Sequence, residues 1–156
     1  MGKEALIICA HSDDQILGVG GTMAKLNNDG YSVRTIILSF GELSHPHLEA
    51  EYIQETRRSE SEKADEIVGG EDVSFLDLEE GRFKEQRNKA RKYIKRSLET
   101  YNPDIVFTHS PDDFHQDHRA THSIVLDTYD DCKTVDTDIY VFDVWTVWNV
   151  KKRDWP

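Results

Sequence analysis

The run "ICAHSDDQILGVGGT", Ile8–Thr22, begins as a buried β-strand. It then sets down His11, Asp13 and Asp14 within four residues, just before a helical pattern opens. Two carboxylates and a histidine at a strand tip are costly to hold together unless something there uses them. A metal ion, a phosphate-bearing cofactor and an ordinary helix cap by Asp13 or Asp14 are the candidate uses. Which one applies depends on what else the chain brings to the same place.

Moving outward, apolar runs alternate with helical patterns. "ALIICA", "SVRTIILSF", "VSFLDL", "DIVFTHS" and "DIYVFDVWTVW" are rich in Ile, Val and Phe and predict strands. Helical stretches are expected at 16–29, 47–68, 84–101 and 118–131, the first three closed by Asp29-Gly30, Gly69-Gly70 and Asn102-Pro103. This alternation predicts one α/β domain over 1–156: a Rossmann-like, mostly parallel sheet flanked by helices in three α/β/α layers. In such sheets ligands bind beyond the carboxyl ends of the strands. The informative residues therefore follow each strand: His11 to Asp14, Gly41-Glu42, Glu79 to Gly81, and "HSPDDFHQDHRATH".

Composition narrows the function classes. Nineteen basic against thirty acidic residues give a formal net charge of −11, which argues against a general nucleic-acid or anionic-membrane binder. Seven Lys/Arg in Lys84–Tyr101 are read as the solvated face of an amphipathic helix whose apolar line is Ala90, Ile94, Leu98 and Tyr101. Cys9 and Cys132 form no Cys-x-x-Cys pair and no disulfide framework. The N-terminus "MGKEALIICA" makes a poor signal peptide, and no apolar run approaches the roughly 20 residues that span a bilayer. A soluble, cytoplasmic protein is the expectation.

The fourth loop gathers His109, Asp112, Asp113, His115, Asp117, His118 and His122, holding four of the seven histidines of the chain. If the first and fourth strands are neighbours, this cluster faces His11, Asp13 and Asp14. Mixed histidine and carboxylate donors suit zinc, with iron or manganese as alternatives. A cap would account for one carboxylate but not for two beside a histidine, nor for the second cluster. "HRATH" has the spacing of a zincin His-x-x-x-His, but Arg119 stands where that mechanism needs glutamate, so His122 is read as a surface or supporting residue. "HPH" at 45–47 is read as a loop.

A second rival is a dinucleotide fingerprint in "LGVGGTMAKL". Met23 stands at its third glycine, and acidic residues precede the helix where a pyrophosphate would bind. These glycines are expected to serve close packing of helix on strand, or to leave room for a substrate. In the second helix Ile53, Ala64 and Ile67 form a stripe shared by Arg57 and Glu60, which must be paired with each other, in contact with substrate, or on an exposed stretch.

These residues resemble a known family. "AHSDDQILGVGGTMAKL" resembles the "AHPDDE" signature of the PIG-L/LmbE-like zinc-dependent N-deacetylases, and "HQDH" at His115–His118 resembles their His-x-Asp-His motif. "RRSE" at 57–60 is similar to their Arg-x-x-Glu segment, and the likeness runs from about Ala5 to Trp148. The family removes acetyl groups from N-acetylglucosamine units in small-molecule substrates. The resemblance implies His11, Asp14 and His118 as zinc ligands, Asp13 as general base, and His115 as oxyanion stabiliser or proton donor. It further implies Asp117 as the residue orienting a histidine, and Arg57 and Glu80 as contacts to the sugar. Zinc is the implied cofactor and an N-acetylated amino sugar the implied partner, with neither nucleic acid nor membrane.

Departures bear on those expectations. Ser12 replaces the family's proline and is expected to loosen the loop that aims Asp13 and Asp14. Gln15 replaces its glutamate and is expected to remove a charge beside the metal. Family members continue past "VFDVW", so the domain is expected to be short or truncated at its C-terminus. "VWTVW" would suit a homo-oligomer interface. Beside N-deacetylation stand hydrolysis of another amide and a metal- or sugar-binding module without catalysis. A nucleotide-dependent oxidoreductase ranks far behind.

Overall fold

A computed structural model of the chain describes residues 2–44, 47–132 and 136–145. The strands are β1 (Lys3–Cys9), β2 (Tyr31–Ile37), β3 (Asp72–Phe75), β4 (Ile105–His109) and β5 (Asp138–Phe142). The helices are α1 (Asp14–Asn28), α2 (Ala50–Ile67), α3 (Arg87–Tyr101) and α4 (Gln116–Asp130), with a 3-10 turn at Glu42–Ser44. The sheet order is β3-β2-β1-β4-β5 and every pairing is parallel. The expected three-layer α/β/α architecture is thus present. β1 and β4 are neighbours, and the chain reverses its direction of winding between them. That reversal is the crevice where ligands of doubly wound sheets bind.

Two apolar layers enclose the sheet. Leu6, Ile8, Ile36, Leu38 and Val106 face Ala90, Ile94 and Leu98 of α3 and Ile124 and Val125 of α4. On the other face Ile7, Cys9, Val33 and Ile37 meet Val19, Met23 and Leu26 of α1. Buried on both faces, β1 reads as an unbroken apolar run rather than an alternating one. The basic face of α3 is partly neutralised across to α4, through Arg87 with Asp127 and Arg91 with Asp131.

Boundaries shift modestly from the sequence reading. α3 begins at Arg87, because residues 82–86 form turns, with Arg82 O accepting from Glu85 and Gln86. β3 stops at Phe75, and Asp77 then takes a left-handed φ of 54°. The last strand ends at Phe142; Thr146 to Trp148, which complete "VWTVW", lie outside the described residues, as do His45 and Pro46 of "HPH".

The glycines of α1 divide by environment. A Cβ on Gly18 would lie 2.2 Å from the Phe142 ring, whereas one on Gly21 would meet nothing within 4 Å. Gly18 is therefore the point where α1 packs closely on β5. Gly18→Ala is expected to cost about 1–3 kcal/mol of stability by overpacking, read by chemical denaturation. Gly21→Ala, in open space, is expected to gain up to about 1 kcal/mol from helix propensity.

The inward line of α2 differs from the expected stripe. Ile53, Ser61 and Asp65 are buried and Arg57 is half-buried, whereas Ile67 is 85% exposed and Glu60 is exposed. An Arg57–Glu60 buried pair is absent among the described residues. The line is polar because α2 packs on hydrogen-bonding partners: Gln15 donates to Ser61 Oγ (2.8 Å) and Thr35 to Asp65 Oδ1 (2.9 Å). Asp65 Oδ2 has no partner, and burial pushes its pKa from 3.8 to about 6. The folded state then binds the proton more tightly than the unfolded chain, so stability falls as pH rises from about 4 to about 6. Asp65→Asn is expected to flatten that slope and to add up to about 2 kcal/mol at pH 7, measured by denaturation at several pH values.

Candidate metal centre

β1 ends at Cys9, and the residues beyond it turn directly into α1. Asp13 occupies the N-cap position of α1, but its side chain makes no capping bond. Asp14 instead folds back, its Oδ2 accepting the His11 backbone N–H at 2.7 Å. Neither carboxylate spends itself as a helix cap. Across the crevice β4 ends at His109, and the following loop delivers His115, which caps α4 by accepting the Asp117 N–H on its Nδ1 (3.2 Å). One helical turn then places His118 against the tip of β1.

Three donor atoms converge. His11 Nδ1 lies 3.3 Å from His118 Nε2 and 3.5 Å from Asp14 Oδ2, and His118 Nε2 lies 3.3 Å from the same oxygen. A tetrahedral zinc bound at about 2.0–2.1 Å sets its ligands about 3.4 Å apart, so this triangle has the edges such an ion requires. All three side chains are buried. The donor set therefore fits zinc.

Two other histidines approach the triangle, and hydrogen bonding separates them from it. His109 stacks on His118 with centroids 3.9 Å apart, and its Nε2 is 3.3 Å from Asp14 Oδ2. That Nε2 already accepts the Ala10 N–H at 3.0 Å, so its lone pair is committed. His115 groups with His11 and His118 within 4.8 Å, but its Nδ1 serves the α4 cap. The neutral imidazole then carries its proton on Nε2. Burial and the nearby His11 and His118 lower the His115 pKa, which keeps that neutral form.

Outer carboxylates stand behind two of the triangle's histidines. Asp117 Oδ2 stands 3.4 Å from His11 Nε2 and accepts the Gly81 N–H at 2.8 Å. Asp113 Oδ1 stands 3.0 Å from His118 Nδ1, while Asp113 itself accepts backbone N–H groups from His115, Val144 and Trp145. Carboxylates behind ligand histidines fix ring orientation and raise ligand basicity. Burial opposes charge on His11, but hydrogen bonds from Asp117 and Asp14 outweigh it and push its pKa up to about 10. Burial likewise opposes ionisation of Asp14, yet hydrogen bonds from His11 and His118 hold it well below the ordinary carboxylate range. The buried carboxylates thus surround the histidines with negative charge that either a protonated His11 or a bound cation can balance.

The remaining candidates surround this core. Asp13 is half-exposed, and its Oδ2 lies 3.8 Å from Arg57 Nη2. Together with Ile16, Leu17, Arg57 and Glu60 it lines a cleft of about 190 Å³. Glu80 Oε2 accepts the Leu43 N–H at 2.8 Å, tying the loop after β3 to the loop after β2. His122 Nδ1 bonds the His109 carbonyl at 2.8 Å and takes no part in the triangle. Gln15 turns away from the histidines, bonding Ser61 and accepting from Cys9 Sγ (3.9 Å), so its neutral amide replaces no charge within the triangle. Ser12 does not loosen its loop. Its Oγ donates to Phe40 O at 3.1 Å and accepts from Arg57 Nη1 at 3.0 Å, supplying side-chain bonds where proline would supply ring stiffness.

The sequence model of the PIG-L family, described as GlcNAc-PI de-N-acetylase, matches residues 6–129. The chain is 30% identical over 159 residues to mycothiol S-conjugate amidase of Streptomyces coelicolor, across 86% of this chain and 54% of that protein. It is 30% identical over 127 residues to 4-oxalmesaconate hydratase of Pseudomonas putida, across 74% of this chain and 47% of that protein. N,N'-diacetylchitobiose deacetylase from Pyrococcus horikoshii shares the fold, with a TM-score of 0.82 and 23% identity, over 90% of this chain and 60% of that one. The chain spans about half the length of the curated relatives it matches. Both His/Asp motifs fall inside the matched span, and a relative of 30% identity extends over most of the sequence: the chain belongs to the PIG-L family.

Proposed function

We propose that the chain is a zinc-dependent hydrolase that removes an N-acetyl group from an N-acetylglucosamine-containing small molecule. The observation that carries this reading is the triangle of His11 Nδ1, Asp14 Oδ2 and His118 Nε2, with Asp13 and His115 left outside it. Zinc held by those three atoms would supply a Lewis acid for the amide carbonyl and lower the pKa of water toward about 7. Asp13, facing the cleft, takes the proton from the attacking water as the tetrahedral centre forms. His115 donates its Nε2–H as a hydrogen bond to the developing oxyanion, and the proton taken by Asp13 passes to the departing amine. Arg57 offers its guanidinium to the hydroxyls of the sugar from the wall of the cleft, and Glu80 braces the loop opposite.

The test is acetate release from a panel of N-acetylglucosamine conjugates by the zinc-loaded protein. Absence of acetate from every conjugate, with zinc bound, would refute N-deacetylation. The hydratase among the relatives gives the second reading, water addition rather than amide cleavage. It predicts hydration of an unsaturated acid without acetate.

A further inference from the structure

Ser12 stands where the family signature carries proline, and its side chain is used. It is only 6% exposed. Its hydroxyl donates to Phe40 O (3.1 Å) and accepts from Arg57 Nη1 (3.0 Å), while the same Nη1 donates to Phe40 O (3.0 Å). The other terminal nitrogen of Arg57 lies 3.8 Å from Asp13 Oδ2. Gly41 makes room for this arrangement: its φ is +73°, and a Cβ there would approach Arg57 Nη1 to 2.9 Å. One edge of the guanidinium is thereby fixed between the loop after β1 and the loop after β2. The other edge is presented to Asp13 and the cleft.

We propose that Ser12 is a positioning residue, which pins Arg57 beside Asp13 and so sets the binding geometry of the cleft. An arginine on an exposed helix face samples many rotamers and loses that freedom when it binds. Here the loss is taken in advance. Proline at position 12 has no side-chain acceptor to offer Nη1, so this pin belongs to the serine and not to the family signature. The inference rests on the hydrolytic reading for its kinetic consequence, but the pin itself can be observed without substrate.

The experiment compares wild type, Ser12→Ala and Ser12→Thr, each alone and with Arg57→Ala. Loss of one hydrogen bond to a charged group is expected to lower kcat/KM about tenfold, expressed mainly in KM, with zinc content unchanged. Ser12→Thr keeps Oγ and is expected to recover most of the loss. In the Arg57→Ala background Ser12→Ala should cost nothing further, because its effect passes through the arginine. Nitrogen-15 NMR of the Arg57 side chain supplies the substrate-free reading. Hindered rotation should give separate Nη signals in wild type and Ser12→Thr, and averaged signals in Ser12→Ala. A wild type without activity that still shows this contrast would sink the hydrolytic reading and keep the pin. Identical Arg57 signals in wild type and Ser12→Ala, or an undiminished Ser12→Ala effect without Arg57, would overturn it.

Discussion

Asp13→Asn is expected to abolish acetate release while leaving zinc content unchanged. The two adjacent carboxylates occupy different surroundings. Asp14 is 2% exposed, accepts the His11 N–H and meets three histidine nitrogens at 3.3–3.5 Å. Asp13 is half-exposed, makes no capping bond and has Arg57 as its charged neighbour. Asparagine preserves its shape and leaves the α1 N-terminus undisturbed, since the side chain was not serving it. What disappears is the capacity to accept a proton, worth about 10²- to 10⁴-fold for a general base. The loss should fall on kcat with KM little changed, the signature of an interaction made only in the transition state. If Asp13→Asn instead strips the metal, the roles of the two carboxylates are exchanged.

The sequence makes the fold legible because its signals agree across scales. Unbroken apolar strands, glycine or Asn-Pro stops and alternation with helices all point to a parallel sheet, and β1 and β4 do adjoin. The inner site is legible for the same reason, since both motifs follow strands that end at one crevice. What the sequence hides is the set of relations that need three dimensions. Asp113 is only one carboxylate among several in "SPDDFHQDH", yet the turn at Ser110–Asp113 and the start of α4 bring it to His118. A backbone N–H consumes the His109 lone pair, and no residue pattern announces that. Ile67 reads as part of a buried stripe because helical phase records direction and not whether a neighbour lies there. The inward face of α2 runs through Ser61, Asp65 and Val68, and Ile67 lies to the side of it in water. Ser12 reads as a loss of stiffness when judged by backbone preference alone, and as an anchor once Arg57 is found against it.

The largest effect is expected from His118→Ala. His118 is fully buried and central: Nε2 meets His11 and Asp14, Nδ1 faces Asp113, and the ring stacks on His109. Elemental analysis should find about one zinc per wild-type chain and essentially none in the variant, because two donors of one motif do not replace the third from across the crevice. Asp113→Asn leaves the ligand in place and alters only its support, so zinc affinity should fall about 10- to 100-fold. His122→Ala, one turn further along α4 and bonded to the His109 carbonyl, should keep its zinc. Thermal unfolding with and without chelator guards against a trivial loss of fold. A ligand bound only by the native state stabilises it by about 4 kcal/mol at a thousand times its dissociation constant, so chelation should lower the wild-type Tm. The Tm of His118→Ala should not respond, and the variant should still unfold cooperatively. A wild type that takes up no zinc, with chelator making no difference, would mean that His11, Asp14 and His118 form a buried hydrogen-bonded network. Asp13 and His115 would then flank a site with no electrophile to serve.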